Sequence, residues 1–142
     1  MSGMEKFTVS VSKTVGESDI YLFAGITGDF APNHVNEAFM SRTPYKHRIA
    51  HGALIVGYMS AASTKAVDQG LTAMPGATPV SLGYDKIRFL KPVFIGDTVT
   101  VTYTVTEVDA ARWRSQAGIE VHNQHGELVA VAVHVMKWVA DG

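Results

Sequence analysis

The 142-residue sequence contains no cysteine, which excludes disulfides, thiolate nucleophiles and cysteine-ligated metals. Charge of one sign is also lacking: 12 Lys and Arg residues face 13 Asp and Glu residues, so the balance gives no indication of nucleic-acid binding. The most apolar window, residues 49–62, contains His51 and two glycines and is too short to cross a bilayer. Residues 1–6 contain no apolar signal core. We therefore expect a cytoplasmic protein with no membrane partner.

Apolar residues are abundant enough for a core. They make up 46% of the chain, which argues against disorder, and 142 residues suit one globular domain. The sequence contains no internal repeat and no low-complexity run. Residues 70–79, rich in Gly, Pro and Thr, predict an internal loop. We expect a single domain over residues 1–142.

The first half of the chain alternates between short strand and helix patterns. The residues Glu17, Ser18 and Asp19 are candidate N-caps for a helix that ends near Gly28. A later run, from Gly52 to Asp68, is apolar on nearly every side, and such a helix must be buried on most of its surface. The pattern predicts a strand over 7–11, helices over 20–26 and 52–68, one or two helical turns over 36–40, and an exposed loop over 42–48.

The second half is rich in strand-forming residues separated by turn signals. Turns are predicted at Gly96-Asp97, at Asp109-Ala110 and at residues 124–126. The predicted strands are 82–91, 98–108, 112–122 and 128–138. Four such strands after an apolar helix predict an antiparallel meander wrapped around that helix. The expected fold class is α+β.

A turn-forming stretch places a carboxylate and an imidazole five residues apart, at Asp29 and His34. Gly28 permits a sharp entry and Pro32 fixes its own φ, so the two side chains can converge from a bent loop. Such a pair can hold one water between them and act as acid and base on a small molecule. The alternative is structural: Asp29 caps a turn and His34 packs against the core.

The loop belongs to a longer pattern, aromatic-x-x-x-small-Gly-Asp-x-x-Pro-x-His. It resembles the hydratase motif of the hot-dog-fold MaoC-type (R)-specific enoyl-CoA hydratases, and the likeness continues through residues 50–52, 88–93 and 96–99. The chain differs from the usual motif at two positions, where it has Ala31 and Asn33 in place of Asn and an aliphatic residue. The residues that carry the match are Phe23, Thr27, Gly28, Asp29, Pro32 and His34.

The resemblance implies reversible hydration of a 2-enoyl-CoA to a 3-hydroxyacyl-CoA. Asp29 would be the principal base on water and His34 the partner that delivers a proton. CoA would be part of the substrate, with no separate cofactor. The family also implies a homodimer or a dimer of dimers, with sheets paired edge to edge.

Three further residues are candidates for the same site. Gly52 starts the apolar helix, where free N–H groups and the positive end of the helix dipole could stabilise an oxyanion; the alternative is a glycine that only permits tight packing. His51 could line the pocket or make a structural cap contact. Asn33 adjoins the expected pocket and is predicted to contact the substrate, the loop backbone or a water.

The remaining polar candidates have simpler interpretations. Ser63 lies inside the helix without a Gly-x-Ser-x-Gly elbow, so we expect it to be a packing residue. We predict no metal site at the histidines outside the motif, because no acidic residue accompanies them at metal-ligand spacing. Basic residues could meet CoA phosphates or simply be exposed, and the tryptophans are expected to cover core edges. These residues are His47, His122, His125 and His134; Arg42, Lys46, Arg48, Lys86, Arg88 and Lys91; Trp113 and Trp138.

Two other functions remain open. A hot-dog acyl-CoA thioesterase shares the fold, but such enzymes commonly carry an acid on the central helix, whereas residues 52–65 contain no Asp or Glu and Asp68 comes too late. A non-catalytic acyl-thioester binding module would be favoured if Asp29 or His34 were missing. The sequence leaves the acyl group, the direction of reaction and the pathway undetermined.

Overall fold

The computed structural model describes residues 7–141 as one antiparallel sheet with helices on one side. The strands are β1 (Phe7–Thr14), β2 (Ala77–Phe89), β3 (Thr98–Asp109), β4 (Arg114–His122) and β5 (Leu128–Ala140). The helices are α1 (Glu17–Thr27), α2 (Pro32–Val35), α3 (Glu37–Ser41) and α4 (Gly52–Asp68). The α+β class is confirmed. Residues 1–6 and 142 lie outside the described residues. The predicted single domain includes all of them, and the predicted lack of a signal core refers to residues 1–6.

The sheet order is β1-β3-β4-β5-β2. Strands β3, β4 and β5 form a meander as predicted, but the prediction that β2 joins it beside β3 is wrong. β2 pairs with β5 at the far edge, and β1 pairs with β3. The chain between β2 and β3 is instead tied to the start of α4, because Ala50 N–H donates to Val93 O at 2.7 Å and Ile49 bridges Phe94. This connection brings the end of β2 next to the first turn of α4.

Strand β2 begins earlier than the sequence indicates. The loop predicted through Pro79 is wrong from Ala77 onward, since Ala77 already pairs with Ala140 and Pro79 pairs with Trp138. A proline has no N–H for a ladder, but an edge strand tolerates this on its outer side. β2 is such an edge. Residues 77–79 therefore belong to a strand, although their composition is typical of a turn.

The α1 helix also starts before its predicted caps. Gly16 is the N-cap, and the Asp19 carboxylate accepts the Gly16 N–H at 2.7 Å, so the expected caps Glu17, Ser18 and Asp19 lie inside the first turn. Gly28 ends the helix as expected: its φ of 84° is left-handed, and its N–H donates to Ala24 O at 2.7 Å. This turn directs the next residue away from the helix axis.

The α4 helix packs against β1 and β3 and leaves its other side open. Its buried residues are Ile55, Met59, Ala62, Ser63 and Ala66. The prediction of burial on most of its surface is wrong for a single chain, because a face of small residues is exposed: Ala53, Gly57, Ser60, Ala61 and Thr64. A groove therefore runs between α4 and the β5–β2 side of the sheet. No helix within residues 7–141 has the length and apolarity needed to span a bilayer.

Candidate active site

Asp29 lies immediately after the left-handed turn that ends α1. Its N–H donates to Thr27 Oγ1 at 3.2 Å, and its Oδ1 accepts the Ala31 N–H at 3.3 Å. The turn-capping alternative is therefore realised for one carboxylate oxygen. The other oxygen has no hydrogen bond among the described residues, and the side chain is exposed. Asp29 thus has an oxygen free for a water or a substrate.

His34 is held in the short helix α2, which begins at Pro32. Its ring is buried, with 8% of the residue exposed, and Nδ1 lies 2.8 Å from Ile49 O. A carbonyl only accepts, so Nδ1 carries the hydrogen. In the neutral ring Nε2 is then an unprotonated acceptor. This is the tautomer that a proton-transfer partner needs.

The two predicted residues come together in space, and a third joins them. Nitrogen or carboxylate oxygen atoms of Asp29, His34 and His51 all lie within 4.8 Å of one another. One water that forms two hydrogen bonds of ordinary length spans about 4.6 Å between its partners. The separation therefore suits a single water between Asp29 and His34.

His51 is the N-cap of α4 and has only 1% of its surface exposed. Its Nε2 donates to the backbone oxygen of Asp29 at 3.0 Å. Its ring is stacked on His34, with centroids 3.8 Å apart and planes 26° apart, and Phe23 covers it at 4.8 Å. Its Nδ1 is buried and has no hydrogen-bond partner in the part of the chain that the structure describes. The ring lies behind His34 and is absent from the cavity wall.

A cavity of about 470 Å³ opens beside this pair, in the groove between α4 and the β5–β2 side of the sheet. Its polar wall includes Asn33 and His34 from α2, and Lys91 follows β2. The other lining residues are mainly apolar: Tyr45, Ile49, Ala50, Gly52, Ala53, Ile55, Phe89, Leu90, Pro92, Val93, Val129 and Ala130. A cavity lined by both apolar side chains and polar groups suits a small organic ligand.

Gly52 is the first residue of α4 and faces this cavity. Within residues 7–141, its N–H donates to no other group, as expected for the first turn of a helix. The Phe89 ring covers it: a Cβ at position 52 would lie 2.7 Å from Phe89 Cε2 and Cζ. The packing alternative for Gly52 is therefore realised here, while its N–H remains available as a donor.

Comparison with known proteins identifies the family to which this chain belongs. A family model described as MaoC like domain matches residues 3–127. The chain belongs to the MaoC-like family. It is 46% identical over 99 residues to an "(R)-specific enoyl-CoA hydratase" of Rhodospirillum rubrum, covering 70% of this chain. It is 38% identical over 109 residues to a "3-hydroxybutyryl-CoA dehydratase" of Methylorubrum extorquens, covering 77% of this chain.

A solved structure with this architecture is the "(R)-hydratase from A. caviae involved in PHA biosynthesis". It matches with a TM-score of 0.80 and 28% identity over 96% of this chain and 98% of that one. The hot-dog fold is thereby confirmed. The matches to the Rhodospirillum and Methylorubrum relatives span only 63% and 64% of those proteins' own lengths.

The cluster of Asp29, His34 and His51 in this MaoC-like chain has the residue types of a metal site. However, His34 Nδ1 already donates to Ile49 O, and His51 Nε2 donates to Asp29 O. Imidazole lone pairs lie in the ring plane, so two stacked rings direct them side by side and not at one point. The expectation of no metal remains a prediction, and this stacking supports it.

The other predicted residues fall outside the MaoC-like site. His47 has an acidic partner, contrary to the expectation, since its Nδ1 lies 2.8 Å from Glu37 Oε2. His134 is bonded on both ring nitrogens, to Tyr103 Oη at 2.7 Å and to Ser81 Oγ at 2.8 Å. His122 and His125 are at the end of β4 and in the following turn. Ser63 is buried, and its Oγ donates to Ser60 O at 2.7 Å, which suits a packing role.

Among the predicted cations, Lys91 alone lines the cavity, and it also pairs with Glu127. Arg48 pairs with Glu17 on α1 and Glu37 on α3 and so joins these helices. Arg42, Lys46, Lys86 and Arg88 are exposed. Trp138 lies within the core, with 1% exposed, whereas Trp113 packs against it from outside.

Sequence reasoning missed two contacts of this site. The Phe89 ring over Gly52 joins residues 37 positions apart, and the His34–His51 stack joins residues 17 positions apart. A periodicity or motif describes neighbours within one element, so neither contact has a local signal. Phe89 is part of the segment 88–93 that carries the family likeness, and this is the one sequence feature that could have pointed to it.

Proposed function

We propose that this chain is an enoyl-CoA hydratase that adds water reversibly across the double bond of a 2-enoyl-CoA and forms an (R)-3-hydroxyacyl-CoA. The observation that carries the proposal is a carboxylate oxygen of Asp29 and a ring nitrogen of His34 within 4.8 Å of each other, with His34 in the wall of the cavity. Membership of the MaoC-like family and the similarity to an (R)-specific enoyl-CoA hydratase and a 3-hydroxybutyryl-CoA dehydratase support it.

In the proposed reaction Asp29 accepts a proton from the bound water as the water oxygen bonds to C3 of the enoyl group. His34 holds the same water through its unprotonated Nε2, receives the proton from Asp29 at that nitrogen and delivers it to C2. Both side chains return to their starting protonation state, so the elements of water are added and nothing is oxidised or reduced. The negative charge that develops on the thioester oxygen needs a donor. No separate cofactor is required, and CoA enters as part of the substrate.

The proposed donor to that oxygen is the Gly52 N–H. This N–H donates to no other group within residues 7–141, Gly52 lines the cavity, and it lies at the positive end of a 17-residue helix. The Phe89 ring occupies the space above it. Phe89 is 54% exposed, so the ring has room to swing aside when a thioester approaches.

Asn33 is the proposed polar contact to the acyl group. It lines the cavity next to His34. Its backbone oxygen accepts the Ile49 N–H at 2.9 Å, whereas its side-chain amide has no hydrogen bond within residues 7–141. An amide facing a mostly apolar cavity favours substrates that offer it a polar group.

The proposed assembly is a homodimer or a dimer of dimers. A single chain leaves the small-residue face of α4 exposed and the outer edge of β2 unpaired, and β2 carries exposed Val80, Leu82 and Phe89. Edge strands of this kind invite pairing with a second copy. The A. caviae hydratase shares the fold of this chain.

A cytoplasmic location stays the expectation from the sequence.

The alternatives predict different products. Thioesterases of this fold commonly carry an acid on the central helix, and α4 supplies none before Asp68 at its last residue. Loss of the conjugated enoyl absorbance without thiol release identifies a hydratase. Release of free thiol identifies a thioesterase, and binding without either change identifies a binding module. A panel of straight, branched and polar enoyl-CoAs, with chiral analysis of the products, tests all three.

A further inference from the structure

His51 touches both residues of the proposed acid/base pair, although it stays out of the cavity. Its Nε2–H donates to the Asp29 backbone oxygen at 3.0 Å, and its ring lies on His34 at 3.8 Å between centroids. It is also the residue from which α4 begins, and Phe23 of α1 packs on it at 4.8 Å. One buried side chain therefore connects the loop, α1, α2 and α4.

We propose that His51 is a positioning residue that fixes the Asp29 backbone and the His34 ring relative to each other. This inference rests on the proposed function and goes beyond it, because His51 would act through the pair and not on the substrate. Of the two roles considered for His51, lining the pocket and making a structural contact, its burial favours the second, since only 1% of the residue is exposed.

The Asp29 side chain needs such a restraint because it is exposed. The carboxylate accepts the Ala31 N–H at 3.3 Å and the backbone N–H of Asp29 donates to the Thr27 hydroxyl at 3.2 Å, and both are long hydrogen bonds within the same turn. Among the described residues, the hydrogen bond from His51 is the one that connects Asp29 to a residue outside its own turn. Without it the carboxylate would sample positions out of reach of the water that it shares with His34.

The His34 ring is restrained from two directions. The bond from Nδ1 to Ile49 O sets which nitrogen faces the cavity, but it still allows the ring to rock about that bond. The stacked face of His51 removes this freedom. Misplacement of about 1 Å at a catalytic group can cost about 100-fold in rate, so a rigid stack is worth retaining.

Three substitutions separate the two contacts. His51→Gln keeps a donor but loses the stack, His51→Phe keeps an aromatic face but loses the donor, and His51→Leu loses both. We expect kcat to fall about 10-fold in each of the first two and about 100-fold in His51→Leu, with KM within about 2-fold of wild type. In an Asp29→Asn background, His51→Leu should cost far less than in wild type, because the group that it positions is already lost.

His134→Gln is the matched control. His134 is also a fully buried histidine, 0% exposed, with a stacked aromatic neighbour, but it lies on β5 away from the pair. It should lower stability and leave kcat per folded molecule unchanged. If His51→Leu also changes only the folded fraction, or if its loss in kcat simply multiplies that of Asp29→Asn, His51 is structural and the proposal is overturned.

A second measurement does not depend on activity. Long-range ¹H–¹⁵N spectra of the histidine rings should show His34 as a single Nδ1–H tautomer in the wild type. In His51→Leu we expect averaged His34 signals and a shifted Phe30 amide, which shares a peptide bond with the Asp29 carbonyl. Unchanged His34 and Phe30 signals would overturn the proposal. A wild type that hydrates no enoyl-CoA would instead overturn the proposed function, while these spectra still decide the role of His51.

Discussion

Two demands coincide at Gly52, which has no side chain: packing under the Phe89 ring and the proposed contact of its N–H with an oxyanion. Within residues 7–141 its N–H at the start of α4 donates to no other group, and a Cβ at this position would lie 2.7 Å from the Phe89 ring. Packing against Phe89 excludes a side chain here, and the proposed oxyanion contact favours its absence. The two demands can be separated, because Phe89 belongs to another element and can be shortened independently.

We expect Gly52→Ala to push the Phe89 ring aside at a cost of about 1 to 3 kcal/mol in stability, and to lower kcat/KM because the new methyl also obstructs the thioester. In a Phe89→Ala background the same change should cost little stability and still lower kcat/KM. Thermal unfolding and steady-state kinetics on the four proteins decide this. Recovery of activity together with stability in the double variant would reduce Gly52 to a packing residue.

A second prediction at the scale of single residues concerns Asn33. Replacing it with Ile removes a half-buried amide from the cavity wall while retaining a side chain of similar size. We expect turnover to persist and the preference to move from polar toward apolar acyl groups, measured as kcat/KM across short, branched and carboxylated enoyl-CoAs. An unchanged profile across this panel would remove Asn33 from the substrate contacts.

At the scale of elements, His134 joins three strands. From β5 it bonds Tyr103 on β3 and Ser81 on β2, and its ring stacks on Tyr84 of β2 at 4.5 Å. Burial of the ring lowers the pKa of His134 to about 4. The edge strand β2 is thus attached to the sheet by a histidine that the folded protein keeps neutral at neutral pH.

The linkage follows directly from this lowered pKa. Between about pH 6.5 and pH 4 the unfolded chain binds a proton at this histidine and the folded chain does not, so stability falls as pH falls. His134 alone should lower the free energy of unfolding by about 3 kcal/mol across this range. Urea unfolding from pH 7 to pH 4 should show a shallower decline for His134→Gln than for wild type. Parallel curves would contradict the role of His134.

Individual helices and strands show which parts of the fold could be predicted from the sequence. The bounds of α4 were predicted as found, because the apolar run has clear ends at His51 and Asp68. The position of β2 at the far edge of the sheet was not predicted, because strand order depends on contacts between distant residues. The proximity of Asp29 and His34 could be predicted because the two residues lie five positions apart in one bent segment of the chain. The stack of His51 on His34 was missed because it joins two elements.

At the scale of the molecule, the groove between α4 and the β5–β2 side is open on the outside. The chain packs α4 against β1 and β3 and leaves the small-residue face uncovered. The cavity that contains Asn33, His34 and Gly52 opens in this groove. A second copy paired along β2 would extend the sheet and cover exposed apolar side chains beside the groove.

We therefore expect the active species to be at least a dimer. Multi-angle light scattering at low micromolar concentration should give a mass of about twice that of the 15.3 kDa chain, or a multiple of it. Leu82→Lys on the outer part of β2 should lower the oligomeric state and the activity together. A monomer with full activity at the same concentration would show that each chain works alone.

The most direct test of the account is the kcat of Asp29→Asn, His34→Ala and the double variant on an enoyl-CoA that the wild type hydrates, followed by loss of enoyl absorbance. Each single change should lower kcat by about 10²- to 10⁴-fold, equal to about 3 to 5 kcal/mol of barrier, with the fold retained. Because both residues act on one water, the double variant should fall far short of the product of the two losses. A single variant with near wild-type kcat on every enoyl-CoA that the parent hydrates would contradict the assignment of this loop as the active site.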